Sequence, residues 1–446
     1  MSDSAFFEFQ VETYGCKVNH YDTGLLQKRM VSEGHQFTSE KARVHVINSC
    51  AVTEEATKEA LRRVRKIKSD DPNKIVVVTG CAAQVDTDRF ALDSQADLVI
   101  ANSHKGQLES LVQQYIDGKL SERVFKSNIF KKEDLEAGGG QDLDHTRSFL
   151  KIQDGCNSFC TFCVIPFARG KSRSVPIDEL VQRVNDLYSE GVREVVLTGV
   201  HIGDYEDDFF GNDHLRGLED LIEQLLVRTS MPRFRVSSLE PIELSDRLLE
   251  LFQEEAMCPH FHMSIQSANT KVLSDMKRKY TAEQVEYALN WIQQKVPGAY
   301  VGMDVIVGFP GETEEEFTDT YSRLNASPWT RIHVFPYSER PGTYANRLPD
   351  KWDRSLIMAR SRRLRELSSN RYLDEAKKQI GSIKQTMKIA SKSTNTTRCL
   401  SKDYWNIVVP ESSSYSLGEE FQVKLTGIDD SQHSKMDGCL IGQFVK

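Results

Sequence analysis

Short apolar runs alternate with longer amphipathic stretches along the first part of the chain. The apolar runs predict strands at residues 6–12, 44–48, 74–79 and 98–101. A 3.6-residue periodicity predicts helices at 22–33 and 53–68. Gly34 suits the end of the first helix, and Thr53 suits the amino-terminal cap of the second. Strands separated by helices indicate an α/β domain with a flavodoxin-like parallel sheet.

A second series of strand-like runs follows a polar, glycine-containing stretch at 131–145. The candidate strands are 149–153, 194–198, 233–237, 260–265, 300–307 and 331–335. Helical patterns lie between them, so the series predicts a partial or complete parallel (β/α) barrel whose reactive end is the carboxyl mouth of the strands. The last strand-like runs, at 382–390, 404–409 and 420–427, predict a small antiparallel β-barrel.

These patterns divide the chain into four parts. The predicted bounds are an amino-terminal domain at 1–125, a linker at 126–145, a barrel core at 146–376 and a terminal domain at 377–446. The 446 residues are 39% hydrophobic and 27% charged, with a net charge of −8, which is ordinary for a globular protein. The sequence contains no apolar run long enough for a membrane helix and no export signal at its start, which predicts a cytoplasmic protein without a membrane partner.

Nine cysteines in a cytoplasmic chain indicate metal binding rather than a disulfide framework. The sharpest motif is Cys156-x-x-x-Cys160-x-x-Cys163, directly after a predicted strand. Three thiolates on one loop can hold three irons of a [4Fe–4S] cluster and leave the fourth iron open. An open iron can bind S-adenosylmethionine and reduce it to a 5′-deoxyadenosyl radical. A zinc knuckle is the alternative, but it needs a fourth ligand at close spacing, and His145 is a poor candidate.

A second set of cysteines, Cys16, Cys50 and Cys81, is spread over the amino-terminal domain. Each cysteine follows a predicted strand, and the carboxyl ends of parallel strands lie along one edge of a sheet. The three thiols are therefore expected to converge on a second cluster, although free buried cysteines are the alternative. The remaining cysteines show no such pattern and are predicted to be structural; they are Cys258, Cys399 and Cys439.

Three segments around the second set, residues 14–19, 48–53 and 79–84, resemble the cysteine signatures of the methylthiotransferase family in order. Segments 197–203, 237–241 and 333–343 are most similar to the members that act on N6-threonylcarbamoyladenosine in tRNA. The segment 263–269 departs from the usual family pattern. The resemblance covers nearly the whole chain. It implies a flavodoxin-like domain, a radical S-adenosylmethionine barrel, a terminal TRAM domain and two [4Fe–4S] clusters.

The resemblance also implies a reaction and its partners. The expected reaction adds a methylthio group to C2 of N6-threonylcarbamoyladenosine at position 37, within the anticodon stem-loop of a tRNA. A sulfur donor and a flavodoxin- or ferredoxin-type reductant are expected as further partners. Three alternatives stay open: an isopentenyladenosine substrate, a ribosomal-protein aspartate substrate, and a non-catalytic iron–sulfur protein that binds RNA.

The cofactor contacts expected from the turns at strand ends and from the family likeness are Phe162, Thr198, Gly199, Val200, Ser238, Gln266, Val307, Gly308, Arg169 and Arg173. Phe162 and the turn at Gly308 are assigned to the adenine, and the turn at Thr198 to the methionine amino group. Arg169 and Arg173 are expected to neutralise a carboxylate or a phosphate. Ordinary turns, local packing and a solvated basic loop are the alternatives for these residues.

Basic and aromatic residues near the carboxyl terminus indicate contact with RNA. The predicted helix 354–378 is rich in arginine, and residues 377–446 hold ten Lys or Arg against seven Asp or Glu. Tyr404, Trp405 and Tyr415 are expected to stack on unpaired bases. Arg169, Arg173 and Arg340 are predicted to hold the carboxylate of the threonylcarbamoyl group.

Overall fold

The computed structural model describes residues 6–39, 42–132, 135, 147–207, 216–391, 395–429 and 440–445. Most of the predicted linker and Cys439 lie outside the described residues. Within those ranges no helix is long and apolar enough to cross a membrane. The described elements form a flavodoxin-like sheet, a partial barrel and a small closed barrel.

The first sheet consists of six parallel strands. They are β1 (Glu8–Thr13), β2 (Gln36–Phe37), β3 (Val44–Ser49), β4 (Ile75–Gly80), β5 (Leu98–Ile100) and β6 (Val124–Phe125). Their order, β2-β1-β3-β4-β5-β6, contains the flavodoxin-like order predicted from the sequence. The helices of this unit are α1 (Lys17–Ser32), α2 (Glu54–Asp70), α3 (Cys81–Val85), α4 (Thr87–Asp93) and α5 (Leu108–Ile116).

The local sequence explains the first two helices. The Thr53 hydroxyl caps α2 by accepting a hydrogen bond from the Ala56 N–H at 3.2 Å, as its position predicted. Helix α1 begins at Lys17, five residues before the predicted start. Val18 and Tyr21 are buried and continue the inward face of the helix toward its amino terminus. The longer helix brings its first turn up to Cys16.

The core contains the second series of strands. They are β7 (Ser148–Lys151), β8 (Gln153–Asp154), β9 (Arg173–Ser174), β10 (Val195–Thr198), β11 (Phe234–Val236), β12 (Ser238–Leu239), β13 (His260–Gln266), β14 (Tyr300–Val307) and β15 (Arg331–Pro336). Parallel pairing joins β7, β10 and β11 in one sheet and β12 to β15 in another. Only Ser237 separates β11 from β12, so the two sheets form a continuous partial barrel, and the mixed α/β prediction is confirmed.

Helices cover the outside of this partial barrel. They are α7 (Ile177–Ser189), α8 (Leu218–Arg228), α9 (Asp246–Leu251), α10 (Thr270–Asp275), α11 (Ala282–Lys295), α12 (Glu314–Ala326) and α13 (Arg354–Gln379). The short helix α6 (Ile165–Arg169) instead packs against the first domain. The basic character of α13 serves packing as well as surface charge. Arg360 is buried and pairs with Glu312 at 2.9 Å, and Arg371 donates to the Ser327 carbonyl at 3.0 Å. These arginines hold α13 against the core.

The predicted terminal β-barrel is present and closed. Its strands are β16 (Ile383–Ile389), β17 (Thr397–Ser401), β18 (Asn406–Val409), β19 (Glu420–Ile428) and β20 (Leu440–Phe444). The order is β16-β17-β18-β20-β19, and the β18–β20 pair is parallel while the others are antiparallel. The apolar pattern did not predict β17 or β20.

Buried charges dock this barrel on the core. Arg233 and Arg235 both pair with the fully buried Glu194, at 2.9 and 3.0 Å. Arg233 Nη2 also donates to the Leu400 carbonyl at 3.3 Å, and Arg235 Nη1 donates to the Lys402 carbonyl at 3.0 Å. These buried contacts fix the position of the terminal barrel on the core.

The prediction that the terminal aromatic residues stack on bases is wrong for Trp405. Trp405 is only 2% exposed. Tyr404 packs on the His260 ring with centroids 4.0 Å apart. Tyr415 stacks on Phe421 at 4.2 Å. Tyr404 and Tyr415 are half-buried, so base stacking by these two rings stays a prediction.

Candidate functional site

The strand order brings the three cysteines of the first domain to one edge of its sheet. Cys16, Cys50 and Cys81 directly follow or lie just after the adjacent strands β1, β3 and β4. A Cβ built on Gly15 would lie 2.7 Å from Cys50 Sγ, so the Cys16 loop touches Cys50. The junction of β1 and β3 is the point where the strand order reverses, the place where open α/β sheets bind ligands.

Two asparagines surround these thiols. Asn19 Nδ2 donates to the Tyr14 carbonyl at 2.7 Å and to the Ser49 carbonyl at 3.1 Å, which ties together the approaches to the first two cysteines. Cys81 Sγ lies 3.9 Å from Asn19 Oδ1 and 3.6 Å from Asn102 Nδ2. The thiols therefore sit in a polar frame with fixed positions.

The CxxxCxxC loop leaves the core at Gly155, which has φ +76°. A Cβ at Gly155 would lie 1.9 Å from the Lys171 carbonyl oxygen, so the close approach requires glycine. The loop then turns back on itself, because the Cys163 N–H donates to the Cys160 carbonyl at 3.0 Å. Arg278 Nη1 lies 3.2 Å from Cys160 Sγ.

Burial and neighbouring groups set the protonation of the thiols. Burial raises the pKa of Cys50 to about 12, raises that of Cys81, and raises that of Cys163 to about 12. At Cys156 burial also raises the pKa, but contact with His201 outweighs it and the net shift is downward. Iron binds the thiolate form, so it must displace the protons of the thiols whose pKa is raised. Binding of iron at both sites is therefore coupled to proton release.

Both cysteine sets fit iron–sulfur clusters. Each set offers three sulfur donors within electrostatic reach of one another. Their exposure differs: Cys50, Cys81 and Cys160 are buried, Cys156 and Cys163 are half-buried, and Cys16 is exposed. Arginine guanidinium groups face them: Arg278 at Cys160 and Arg169 near Cys81. Such groups offset the negative charge of a thiolate-bound cluster.

The predicted turns at the strand ends lie around the CxxxCxxC loop. Thr198 ends β10, and the N–H groups of Val200 and His201 both donate to Gln153 Oε1 at 3.0 Å. Burial lowers the pKa of His201, but its hydrogen bond to Asp204 and its close contacts with Cys156 and Glu243 outweigh burial and raise the pKa to about 12. This turn therefore carries an imidazolium among carboxylates.

The other predicted cofactor contacts lie at the Gly308 turn and at the end of β13. Phe162 packs against a small apolar cluster that contains Phe309, next to the predicted adenine turn. Gly308 follows Val307 with φ +74°, and its N–H donates to Glu312 Oε2 at 2.7 Å. Gln266, at the end of β13, has φ +62°, an unusual conformation for a residue other than glycine and one associated with functional sites.

The expectation that Arg169 and Arg173 neutralise a ligand disagrees with the surroundings of Arg169. Arg169 is 3% exposed and donates to Asp154 at 3.0 Å, to Asp22 at 3.0 Å and to Asn19 at 2.6 Å. Arg173 donates to the backbone carbonyls of Lys132, Lys171 and Arg169. Arg169 is structural because protein acceptors already use its N–H groups, whereas the half-buried Arg173 keeps an Nε–H without an acceptor and its ligand contact stays a prediction.

Arg340 is likewise unavailable to a substrate carboxylate. It is 1% exposed and pairs with Glu54 at 3.0 Å and with Asp86 in the first domain. The Thr57 hydroxyl lies 3.2 Å from its Nη1. Arg340 therefore joins the core to the first domain.

A cavity of about 600 Å³ lies between the first domain and the carboxyl mouth of the barrel. Its walls comprise Gly15, Cys16, Lys17, Val18, His20, Phe149, Thr198, Gly199, Ser237, Ser238, His262, Asp304, His333 and Phe335. The predicted contacts Thr198, Gly199 and Ser238 thus share a cavity with Cys16. Sequence reasoning missed its polar wall, since His262, Asp304 and His333 belong to strands and carry no motif signal.

Comparisons with known proteins agree with this architecture. The family model described as the radical SAM superfamily matches residues 150–324, and the model described as uncharacterized protein family UPF0004 matches residues 8–101. A solved structure, the radical S-adenosylmethionine methyltransferase TsrM from Kitasatospora setae, has the same fold over 76% of this chain and 77% of its own. Its TM-score is 0.57 and its identity 14%. The chain is thus a radical S-adenosylmethionine enzyme.

Relatives of similar sequence identify the family within the radical S-adenosylmethionine enzymes. The threonylcarbamoyladenosine tRNA methylthiotransferase MtaB of Aquifex aeolicus is 38% identical over 81% of this chain and 87% of the relative. The protein of the same name from Bacillus subtilis is 36% identical over 80% and 79%. A tRNA-2-methylthio-N(6)-dimethylallyladenosine synthase of Desulfotalea psychrophila is 29% identical over 87% and 88%. The chain belongs to the methylthiotransferase family, and the predicted cofactors, two [4Fe–4S] clusters and S-adenosylmethionine, are those of this family.

Proposed function

We propose that this protein adds a methylthio group to C2 of N6-threonylcarbamoyladenosine at position 37 of tRNA. The observation that carries the proposal is the cavity shared by Cys16 and the mouth of the barrel. A purine in this cavity touches both the domain of the second cysteine set and the domain of the CxxxCxxC loop. The MtaB relatives of Aquifex aeolicus and Bacillus subtilis support the choice of base.

The proposal assigns separate tasks to the two cysteine sets. Cys156, Cys160 and Cys163 hold the cluster that, when present, supplies an electron to S-adenosylmethionine for its homolytic cleavage. Cys16, Cys50 and Cys81 would hold a second cluster, which would supply the sulfur. The residues that would hold S-adenosylmethionine are Phe162 and the Val307–Gly308 turn together with the Thr198–Val200 turn, Ser238 and Gln266.

The residues of the chain supply orientation and exclusion of water. Gln153 fixes the turn that follows Thr198, and Arg278 holds the cluster loop through Cys160. The first domain closes the mouth of the barrel with the start of α1. Enclosure protects a radical from solvent, so the base must be accessible in a loop such as that of the anticodon stem.

The partners follow from the same proposal. The anticodon stem-loop is the RNA element, a flavodoxin- or ferredoxin-type protein is the reductant, and a separate donor replaces the sulfur. A cytoplasmic location and a TRAM identity for the terminal barrel belong to the proposal as well.

The experiment uses the reconstituted full chain and synthetic anticodon stem-loops. A loop that carries threonylcarbamoyladenosine is incubated with S-adenosylmethionine and a reductant, and its nucleosides are analysed by mass spectrometry. We expect the methylthio product from this loop and little from an isopentenyladenosine loop. Equal turnover of the two loops, or modification of a ribosomal protein alone, would contradict the proposed substrate.

A further inference from the structure

The cavity between the two domains has an unusual wall for the inside of a barrel. Parallel barrels generally fill their interior with branched aliphatic side chains. Here the inward positions of β13, β14 and β15 carry His262, Asp304 and His333. His262 Nε2 lies 3.0 Å from Asp304, and the His262 and His333 rings stack at 5.5 Å. This wall suits a ligand with several hydrogen-bonding groups.

The wall of the cavity that belongs to the first domain carries a positive charge. Lys17 lines the cavity from the first turn of α1. Asp304, the carboxylate of the cavity wall, already pairs with His262. The Lys17 ammonium makes no ion pair with any residue in the described ranges. Tyr404 and Asp304 act on it with favourable charge, while Arg147 and Arg235 oppose them. A carboxylate ligand in the cavity would therefore supply the direct ion-pair partner that the ammonium does not have within the described part of the chain.

We propose that Lys17 binds the carboxylate of the threonylcarbamoyl group and so selects this substrate over one with an uncharged N6 substituent. The inference rests on the proposed function, because it places the modified purine in this cavity. An ammonium on a half-buried wall gives a charge-assisted hydrogen bond to a carboxylate. The ureido and hydroxyl groups of the same substituent match the His262, Asp304 and His333 wall. An isopentenyl group would offer the Lys17 ammonium no partner.

Lys17 takes the place of the three arginines to which the sequence assigned this contact. Arg169 and Arg340 are buried in ion pairs with protein carboxylates, and Arg173 donates to three backbone carbonyls. Lys17 differs in that it faces the cavity and directly follows Cys16, beside the site where the sulfur is delivered. Recognition of the substituent and delivery of the group thus occur at neighbouring residues.

The test compares two anticodon stem-loops in each protein variant. One carries threonylcarbamoyladenosine, and the other carries its carboxamide, in which a neutral amide replaces the carboxylate. A hydrogen bond to a charged group contributes about 1.5–3 kcal/mol, so the full chain should prefer the acid loop by roughly 10- to 100-fold in kcat/KM. Lys17→Gln should bring this ratio close to one, and Lys17→Arg should retain most of it. Lys28→Gln is the matched control, because Lys28 is exposed on the same helix.

Lys17 adjoins a proposed cluster ligand, so the ratio within one variant is the deciding quantity. A general loss of iron or activity lowers turnover of both loops and leaves the ratio unchanged. If Lys17→Gln turns over neither loop, the ratio of the two dissociation constants, measured without S-adenosylmethionine, decides. A wild-type preference retained by Lys17→Gln, or lost equally in Lys28→Gln, overturns the role of Lys17. Failure of the unmodified protein to methylthiolate the acid loop instead contradicts the proposed function.

Discussion

Arg169 joins the two cysteine-bearing loops through a network of buried hydrogen bonds. Its removal should break this link between the loops. One guanidinium nitrogen donates to both carboxylate oxygens of Asp154, at 3.0 and 3.1 Å, and the other donates to Asn19 and Asp22. Asp154 accepts the Gly155 N–H at 2.9 Å, one residue before Cys156. Asn19 lies beside Cys81. A single side chain therefore links the frames of both sets of thiols.

The magnitude follows from the burial of these charges. Removing one partner of a buried ion pair costs about 3–5 kcal/mol, because the other charge stays buried. Lys105 and Lys151 remain beside Asp22, at 3.0 and 2.7 Å, so we expect the lower end, about 3 kcal/mol, for Arg169→Met. Denaturant unfolding of the metal-free protein measures this change. The reconstituted variant should still cleave S-adenosylmethionine, but with fewer methylthio groups formed per 5′-deoxyadenosine.

Arg340→Met is the matched control for this prediction. Arg340 is also a buried arginine between the first domain and the core, and it pairs with Glu54 and Asp86. It should therefore destabilise the protein by a similar amount, while the ratio of product to 5′-deoxyadenosine stays near the wild-type value. An equal fall of this ratio in both variants would show that loosening of the interface, and not the Arg169 link, uncouples the reaction.

Three further predictions concern iron, acid stability and backbone space. Replacing Cys156, Cys160 and Cys163 together by Ala should halve the iron of the reconstituted protein and abolish 5′-deoxyadenosine formation; iron analysis showing the wild-type content would contradict the ligand assignment. Burial raises the pKa of Asp154, but Arg169 and Lys151 outweigh it and hold the pKa at about 2, below its ordinary value of 3.8, so its stabilisation is complete above about pH 4 and is lost as pH falls toward 2. Arg169→Met should raise the pKa of Asp154 and move the pH midpoint of acid unfolding upward. An unchanged midpoint would show that the Arg169–Asp154 ion pair does not determine the acid stability. Gly155→Ala should abolish loading of the cluster loop, whereas Gly298→Ala, with nearly the same φ (+77° against +76°) but no atom within 4 Å of its Cβ, should cost only about 1 kcal/mol in thermal unfolding and keep its iron.

The sequence predicted those features that depend on local pattern. The strand Tyr300–Val307 has the predicted bounds, since its eight residues are rich in valine and isoleucine and lie between Gly298 and Gly308. The convergence of Cys16, Cys50 and Cys81 followed from their position after parallel strands. Both inferences need only the neighbouring residues and the geometry of a parallel sheet.

The roles of the charged residues depend on partners distant in the chain. Arg169 pairs with Asp22, 147 positions away, and Arg340 pairs with Glu54, 286 positions away. A basic loop beside a cluster motif has the same pattern whether its arginines face a ligand or a buried carboxylate. The position of Lys17 could not be predicted for a related reason. Its neighbours in the cysteine signature do not indicate which cavity its side chain lines.

The short helix α6 explains why the two domains share one cavity. It begins two residues after Cys163, and Val164 and Ala168 around it pack in the apolar cluster of the first domain together with Cys81. Asn102 Nδ2 bonds the Ala168 carbonyl at 2.9 Å and also contacts Cys81 Sγ. Helix α6 thus carries the end of the cluster loop into the first domain and ends at Arg169, which pairs with carboxylates on both sides. The spacing of the two sets of thiols is therefore set by this five-residue helix and its buried charges, so the proposed division of tasks between the two sets depends on Arg169 and its carboxylate partners.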